Sequence, residues 1–345
     1  GVPDKFHPTK TGFDYFMGFR TGGNRVTNPT LEVEGKNQKV EGFTYDILTD
    51  DALEFIERNQ KKTFLLCLHY RAPHAAWMPQ PESDRKPFDK LDPKIPNPDY
   101  PNLDVARVKR MTREYLGSVK GVDRNVGRVL KLLDDLKLAD NTIVIFSSDN
   151  GPEVPTVIAM RHDYQHNGAR PWRGVKRDNW EGGHRVPFVV RWPGVIPAGT
   201  SSDAMATSMD LLPTLANFAG AKPPGDRKID GKDIASLLLA KPGAATPHKG
   251  FYFYSRGQLH AVRSGNWKLF FTRGKKAPKG QPEALYNLAS DIGEASNVLG
   301  DHPGVAKRLA KFDCGESGAN GPRRQSGHDL PAFGALGLLP RRDKK

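Results

Sequence analysis

Apolar positions along the chain fall into two rhythms. Val105, Val108, Met111, Tyr115, Val119, Val122, Val126, Val129 and Leu133 recur at spacings of three and four, which predicts one long amphipathic helix. A shorter helix is predicted over Asp51 to Lys62, with Leu53, Phe55 and Ile56 apolar and Thr49 placed to cap its start. The second rhythm is the short, unbroken apolar run. "TFLLCLHY" (63–70), "TIVIFSS" (142–148) and "VPFVVRWPG" (186–194) carry apolar side chains on both alternating faces, the pattern of strands covered on both sides in a parallel sheet. "SMDLLPTLANFAG" (208–220) reads as a further helix. Helix alternating with buried strand predicts an α/β fold, a mostly parallel sheet sandwiched by helices. After Ala245 the rhythm changes. "HKGFYFYSRGQLHAVRSGNWKLFFTR" alternates aromatic and polar residues between turn signals, predicting antiparallel strands, and a short helix over Val305 to Phe312 follows. The expected organisation is an α/β domain over 1–245, a small α+β subdomain over 246–312, and a Gly-, Pro- and Arg-rich disordered tail over 313–345.

Composition narrows the classes. The chain has 345 residues, 37% hydrophobic and 26% charged, within the range of globular proteins. No run approaches the roughly 20 consecutive apolar residues that span a bilayer. Gly1 to Lys5 carries no apolar core of a targeting signal. Two cysteines, Cys67 and Cys314, exclude a disulfide framework, and Cys67, inside an apolar run, is expected to be a buried, inert thiol. The formal net charge of +13 favours anionic partners such as sulfated or phosphorylated polymers, or else marks a solvated basic face. No zinc-finger, RNP or base-reading basic helix pattern is present, so nucleic acid is not an expected partner.

Ligands of open α/β sheets bind beyond the carboxyl ends of the strands. The first apolar run delivers His74 in "RAPHAAW", and the second delivers Asp149 and Asn150 onto Gly151-Pro152. A carboxylate beside an amide carbonyl supplies hard oxygen ligands, suited to Ca²⁺ or Mg²⁺ rather than zinc. The competing reading is plain turn chemistry, which the same residues also serve. Pro171 to Gly194 gathers Arg173, Lys176, Arg177 and Arg185 around a Glu-Gly-Gly turn. Such cations would suit a tetrahedral oxyanion, or would form a solvated basic loop.

The order of these pieces resembles the sulfatase family, of the alkaline-phosphatase-like fold. The matching segments are "GFDYFMGF" (12–19), "TDDALEFIERN" (49–59), "APH" (72–74), "YLGSVKGVDRNVGRVLKLLDDL" (115–136), "IVIFSSDNGPE" (143–153), "RGVKRDNWEGGHRVPFVVRWPG" (173–194), "SMDLLPTLANFAG" (208–220) and "VRSGNWKLFF…EALYNLASDIGEASNVL" (262–299). The resemblance implies that Asp149 and Asn150 are two ligands of one divalent cation, calcium as a rule and magnesium otherwise. It implies that His74 and Lys176 contact the sulfate ester and protonate or stabilise the leaving oxygen, with Arg173 beside them. The nucleophile implied is the hydrate of a formylglycine made from a Cys/Ser-x-Pro/Ala-x-Arg motif. It attacks sulfur in line, releases the alcohol and then eliminates sulfate.

That motif does not occur in residues 1–345. Cys67 has Arg71 at the right spacing but His69 where Pro belongs. The family places the motif, two aspartate ligands and a Lys-x-His pair upstream of "GFDYFMGF", which leads to the expectation of a sulfatase lacking its N-terminal part and inactive on its own. Two alternatives stand beside it: a non-catalytic protein that binds sulfated glycans through the same cations, and a phosphoesterase of the same fold. The implied partner is a sulfate-ester substrate, on an anionic polysaccharide if the basic charge is a guide, and the implied location is periplasmic or secreted.

Overall fold

A computed structural model describes residues 4–94, 104–152, 171–272 and 280–315, with side chains to 311. The described residues divide into two compact units, one up to residue 142 and one from residue 143 onward. The C-terminal tail expected over 313–345 lies outside the described residues beyond 315.

In the first unit, β1 (Met17–Gly18), β2 (Thr30–Val33) and β3 (Lys36–Lys39) form an antiparallel meander, with Met17 opposite Val33 and Leu31 opposite Gln38. Helix α1 (Thr44–Asn59), the single turn α2 (Glu82–Arg85) and the long α3 (Val105–Asp135) pack together. Helix α1 starts seven residues before the expected Asp51, because Tyr45, Ile47 and Leu48 extend its buried stripe upstream. Thr49 is therefore inside the helix and not its cap. Fully buried, its hydroxyl donates to the carbonyl of Tyr45 at 2.7 Å and lies 2.8 Å from the Tyr70 hydroxyl.

The long helix has the expected length, but its buried face is not the whole expected stripe. Val108, Val122 and Leu133 are buried, whereas Val119 is 38% exposed. Gly117, Ser118, Gly121 and Asn125 are buried instead. Small residues sit there because the neighbours come close: a Cβ on Gly121 would lie 2.9 Å from the Tyr45 ring. Polar pairs complete the contact. Asp46 accepts from Asn125 at 2.7 Å and pairs with Arg124 at 2.9 Å, and one turn further Asp50 pairs with Arg128 at 2.5 Å. Asp84, with no exposure, takes both Nε and Nη2 of Arg124 at 2.9 and 2.8 Å and faces the Tyr45 hydroxyl at 3.3 Å.

Residues 63–70 correct an expectation. They are extended, with exposure alternating along the run, but form no ladder among the described residues. Apolar side chains on both faces make a strand only where a neighbour supplies hydrogen bonds. Cys67 is accordingly an exposed free thiol and not a buried one.

In the second unit, β4 (Val144–Ser147) pairs with β5 (Phe188–Arg191) antiparallel, Val144 opposite Arg191 and Ser147 opposite Phe188. Both were expected as buried parallel strands. They are instead the arms of one long hairpin, since the chain between them returns to the same end, where Lys176 N donates to Pro152 O at 2.9 Å. Phe146, Phe188 and Val189 are 40%, 39% and 60% exposed. The one-turn helix α4 (Glu181–His184) precedes β5, and α5 (Leu211–Phe218) and α6 (Ala235–Leu238) follow it.

The C-terminal part is the expected antiparallel sheet: β6 (Phe251–Ser255), β7 (Gln258–Ser264), β8 (Trp267–Phe271) and β9 (Pro282–Asn287), in chain order, with α7 (Pro303–Gly315) on one face. Leu269, Phe271 and Leu285 pack under Ala306 and Leu309 of α7. On the opposite face Phe253, Phe270 and Tyr286 pack around Trp180. Strand β8 is thus covered on both sides, which explains four consecutive buried residues from Lys268 to Phe271.

Asp84→Ala is expected to lower the unfolding free energy by about 3 kcal/mol in urea titration, since it removes the fully buried partner of Arg124, leaving that guanidinium only Asp46, and empties a buried acceptor site. A loss below about 1 kcal/mol would show that the Arg124 pair contributes nothing to holding α2 on α3.

Candidate active site

The second unit brings Asp149, Asn150 and Lys176 to one end of the β4–β5 hairpin. Two residues past the end of β4 stands Asp149, an exposed carboxylate with no hydrogen bond or ion pair among the described residues. Asn150 donates its amide N–H to the carbonyl of Gly151 at 2.8 Å, which orients the side chain and leaves Oδ1 as the oxygen it offers. The turn is closed by two main-chain bonds: Gly151 N to Gly183 O at 3.1 Å and Lys176 N to Pro152 O at 2.9 Å. Gly151 is obligatory there, because a Cβ would fall 1.9 Å from the carbonyl oxygen of Gly182.

The basic segment is a compact knot. Gly174, at φ +85°, lets the chain fold back, and Asp178 caps it by accepting from Val175 N at 3.2 Å while its own N–H donates to Val175 O at 2.9 Å. A Cβ on Gly183 would meet the carbonyl oxygens of Asp178 and Val175 at 2.3 and 2.6 Å. Arg173 lies 3.8 Å over the Trp180 ring and donates from Nη1 to the main-chain carbonyl of Glu294 at 2.9 Å, while its own carbonyl accepts from Gly182 N at 2.7 Å. Its guanidinium braces the knot against the C-terminal sheet.

Beneath the knot lies a group of charges that pattern reading did not find. Glu181, 2% exposed, accepts from Lys268 Nζ at 2.9 Å, Arg263 at 2.6 Å and Arg185 at 2.8 Å. Lys268 has no exposure, sits 3.0 Å from Glu294 Oε1, and lies 4.1 Å from the centre of the Phe253 ring. Glu294 Oε2 accepts from Glu181 N at 2.7 Å, so a side chain from the segment after β9 caps α4. Burial alone would push the Glu181 carboxyl up, but Lys268, Arg263 and Arg185 outweigh it and hold it down at about 2. Burial pushes Glu294 upward, against the pull of Lys268. One signal was legible: a lysine in the apolar strand "NWKLFF" needs a buried partner.

His74 belongs to the first unit. Its loop is held by Trp77, which is buried against Val108 with Tyr115 alongside, its indole N–H donating to Pro73 O at 2.8 Å. His74 N donates to Arg71 O at 2.9 Å, and ring Nδ1 lies 2.6 Å from Ala75 O. A carbonyl can only accept, so Nδ1 carries a proton toward Ala75 O.

The residues fit a hard divalent cation as part of its ligand set. Asp149 and Asn150 offer two oxygens, and calcium takes six to eight. Among the described residues no group of three or more His, Cys, Asp or Glu is placed to hold a metal.

Residues 3–221 match the family model described as Sulfatase, and residues 173–311 match that described as N-sulphoglucosamine sulphohydrolase, C-terminal. The chain therefore belongs to the sulfatase family, and its α/β fold is the alkaline-phosphatase-like one with a small C-terminal antiparallel sheet. It is 36% identical to the human steryl-sulfatase over 240 residues, 66% of this chain and 37% of that one. It is 32% identical over 292 residues to the N-acetylgalactosamine-6-sulfatase of Canis lupus familiaris, covering 79% of this chain and 50% of the other. Among solved structures, Ps i-CgsB in complex with k-i-k-neocarrahexaose superposes with a TM-score of 0.72 at 28% identity, over 90% of this chain and 67% of that one. The chain thus spans about a third to a half of the length of these curated relatives.

Two outcomes test the buried charges. Lys268→Met, which leaves two glutamates without their shared cation, is expected to cost about 3–5 kcal/mol in chemical denaturation, and adding Glu294→Gln to recover part of it. Glu181 ionises more readily folded than unfolded, so its stabilisation is complete above its ordinary value of 4.5 and is lost as pH falls towards about 2. Stability should decline over that window and decline less in Glu181→Gln, with Glu294 common to both proteins. Equal slopes would refute the assignment.

Proposed function

We propose that the whole protein to which this chain belongs is a sulfuric ester hydrolase acting on sulfated carbohydrates, with Asp149 and Asn150 as ligands of a calcium ion and His74 and Lys176 on the sulfate ester. The observation that carries this reading is the hairpin end. There a carboxylate without a partner among the described residues and an oriented amide oxygen share one turn with Lys176, joined through Gly151–Gly183 and Pro152–Lys176. That is the donor set of a hard cation on the same turn as a lysine whose main chain is held there, and an ammonium suits a tetrahedral anion.

Each side chain has a definite part. Bound calcium would supply Lewis-acid polarisation of the sulfuryl oxygens. Lys176 would add a point charge where negative charge builds up. His74, with its proton fixed on Nδ1 by Ala75 O, would use Nε2 to exchange a proton with the leaving oxygen. The nucleophile is a formylglycine, and the residues 1–345 contain no motif from which one is made. The carbohydrate preference rests on the +13 charge and on similarity to N-acetylgalactosamine-6-sulfatase and to a protein crystallised with a neocarrahexaose. We place the protein in the periplasm or outside the cell. No helix among the described residues is long and apolar enough to cross a membrane.

The test uses residues 1–345 alone and the same chain joined to its upstream polypeptide. Alone, it is expected to show no turnover of a sulfated disaccharide. Joined, it should turn over in a calcium-dependent way, and Asp149→Ala or Lys176→Ala should each lower kcat/KM by about 10²–10³. Full activity in both variants of the joined protein would sink the proposed roles, and metal-dependent turnover by residues 1–345 would sink the proposed need for a nucleophile from elsewhere.

A further inference from the structure

A pocket of about 410 Å³ opens in the first unit, beside the loop that carries His74. Asn24, Arg25, Thr27, Lys39, Arg71 and Met78 are among its walls. The volume falls within the range of ligand sites, about 300–1,000 Å³, and far exceeds what one inorganic ion fills. Its chemistry is one-sided. Three of the lining residues are cations and none is a carboxylate.

Arg71 forms the inner wall. Its Nη groups donate to the carbonyls of Ala75 and Ala76, the residues that follow His74, while Nε is buried without any hydrogen-bond partner. Arg71 forms no ion pair among the described residues, and burial lowers its pKa, as expected of a guanidinium that lacks a counter-ion. A buried donor left unsatisfied costs about 1–3 kcal/mol, so the fold retains an arrangement that an anion would relieve. Arg25 and Lys39 have exposed side chains with no partner among the described residues. Two side-chain to main-chain bonds shape its walls: Asn24 Oδ1 accepts from Arg25 N at 2.7 Å, and Asn28 Oδ1 accepts from Gly42 N at 2.9 Å.

We infer that this pocket is a second anion subsite, which receives a sulfate or carboxylate on the sugar next to the one whose ester is presented to His74. Arg71 ties the two places together, since the guanidinium lining the pocket also clamps the carbonyl of Ala75 that orients the His74 ring. The inference rests on the proposed sulfatase reading and adds to it the substrate class: a saccharide with at least two anionic groups on neighbouring sugars.

Calorimetric titration of the whole chain tests it with three disaccharides of one backbone: one sulfate, two sulfates, and one sulfate plus one carboxylate. Arg25→Gln/Lys39→Gln should weaken binding of the doubly anionic ligands about tenfold and change the singly sulfated one less than threefold, with an unchanged circular dichroism spectrum. Preference between the two doubly anionic ligands tells which group the pocket takes. A charge-matched control, Lys90→Gln/Lys94→Gln, should leave all affinities within twofold. The inference is overturned if the two double variants act alike, if the pocket variant weakens all ligands equally or none, or if the unaltered chain binds no ligand. Failure of the underlying reading looks different: His74→Gln and Lys176→Gln would then leave every affinity unchanged while the pocket variant still discriminates.

Discussion

Everything placed at the hairpin end depends on one close approach, the Gly151 N–H reaching the carbonyl of Gly183 at 3.1 Å. That bond is of ordinary length, but the backbones around it are packed so that neither residue has room for a Cβ. On Gly151 such an atom would overlap the Gly182 oxygen, and on Gly183 it would overlap two further carbonyls. The glycines thus act as contact surfaces. Because they touch, the carboxylate and amide ending β4 are registered against the segment bearing Lys176, although roughly 25 residues of chain separate them.

A contact between glycines cannot hold itself, since it buries little apolar surface and its partners are main chain alone. The support comes from the C-terminal sheet. Glu294 caps α4 at Glu181 N, Arg173 reaches the Glu294 carbonyl, and Trp180 packs on Phe270 at 4.4 Å between ring centres. The sheet has its own closed core under α7, on the face turned away from the knot. One side of β8 therefore stabilises the sheet and the other carries the bracing to the site.

How much of this was legible follows from what kind of signal each feature leaves. The long helix, the switch to antiparallel strands after Ala245 and the pairing of Asp149-Asn150 with the Lys176 segment were readable, because each leaves a local period or an ordered run of motifs. Pairing partners were not. The runs at 142–148 and 186–194 read as buried parallel strands because periodicity reports which faces are apolar and not where the chain returns; Pro152 and Lys176 meeting at one end decides it. The face of α3 was misjudged for a related reason. Hydrophobic spacing picked out Val119, whereas the contact with α1 uses Gly121 against Tyr45 and Asn125 against Asp46, with the half-buried Arg124 held by Asp46 and Asp84. Lys268 and Glu294 stand 26 positions apart and show no spacing that links them.

The choice of charge over apolar packing beneath the knot has a physical reason. An apolar cluster of the same volume would be as stable or more so, since desolvating an ion pair offsets most of its attraction. It would also tolerate sliding, because dispersion has little directionality. Glu181 has two oxygens and three cations on them, at 2.9, 2.6 and 2.8 Å, and its own N–H is held by Glu294. Rotating the α4 turn by a few tens of degrees would break several of these bonds at once inside a dry interior, where each broken bond is costly. Such a cluster defines one orientation of Gly182 and Gly183 and penalises its neighbours, which dispersion alone would not do. For a site that needs an oxygen pair and an ammonium held in fixed relation, that selectivity matters more than the stability it forgoes.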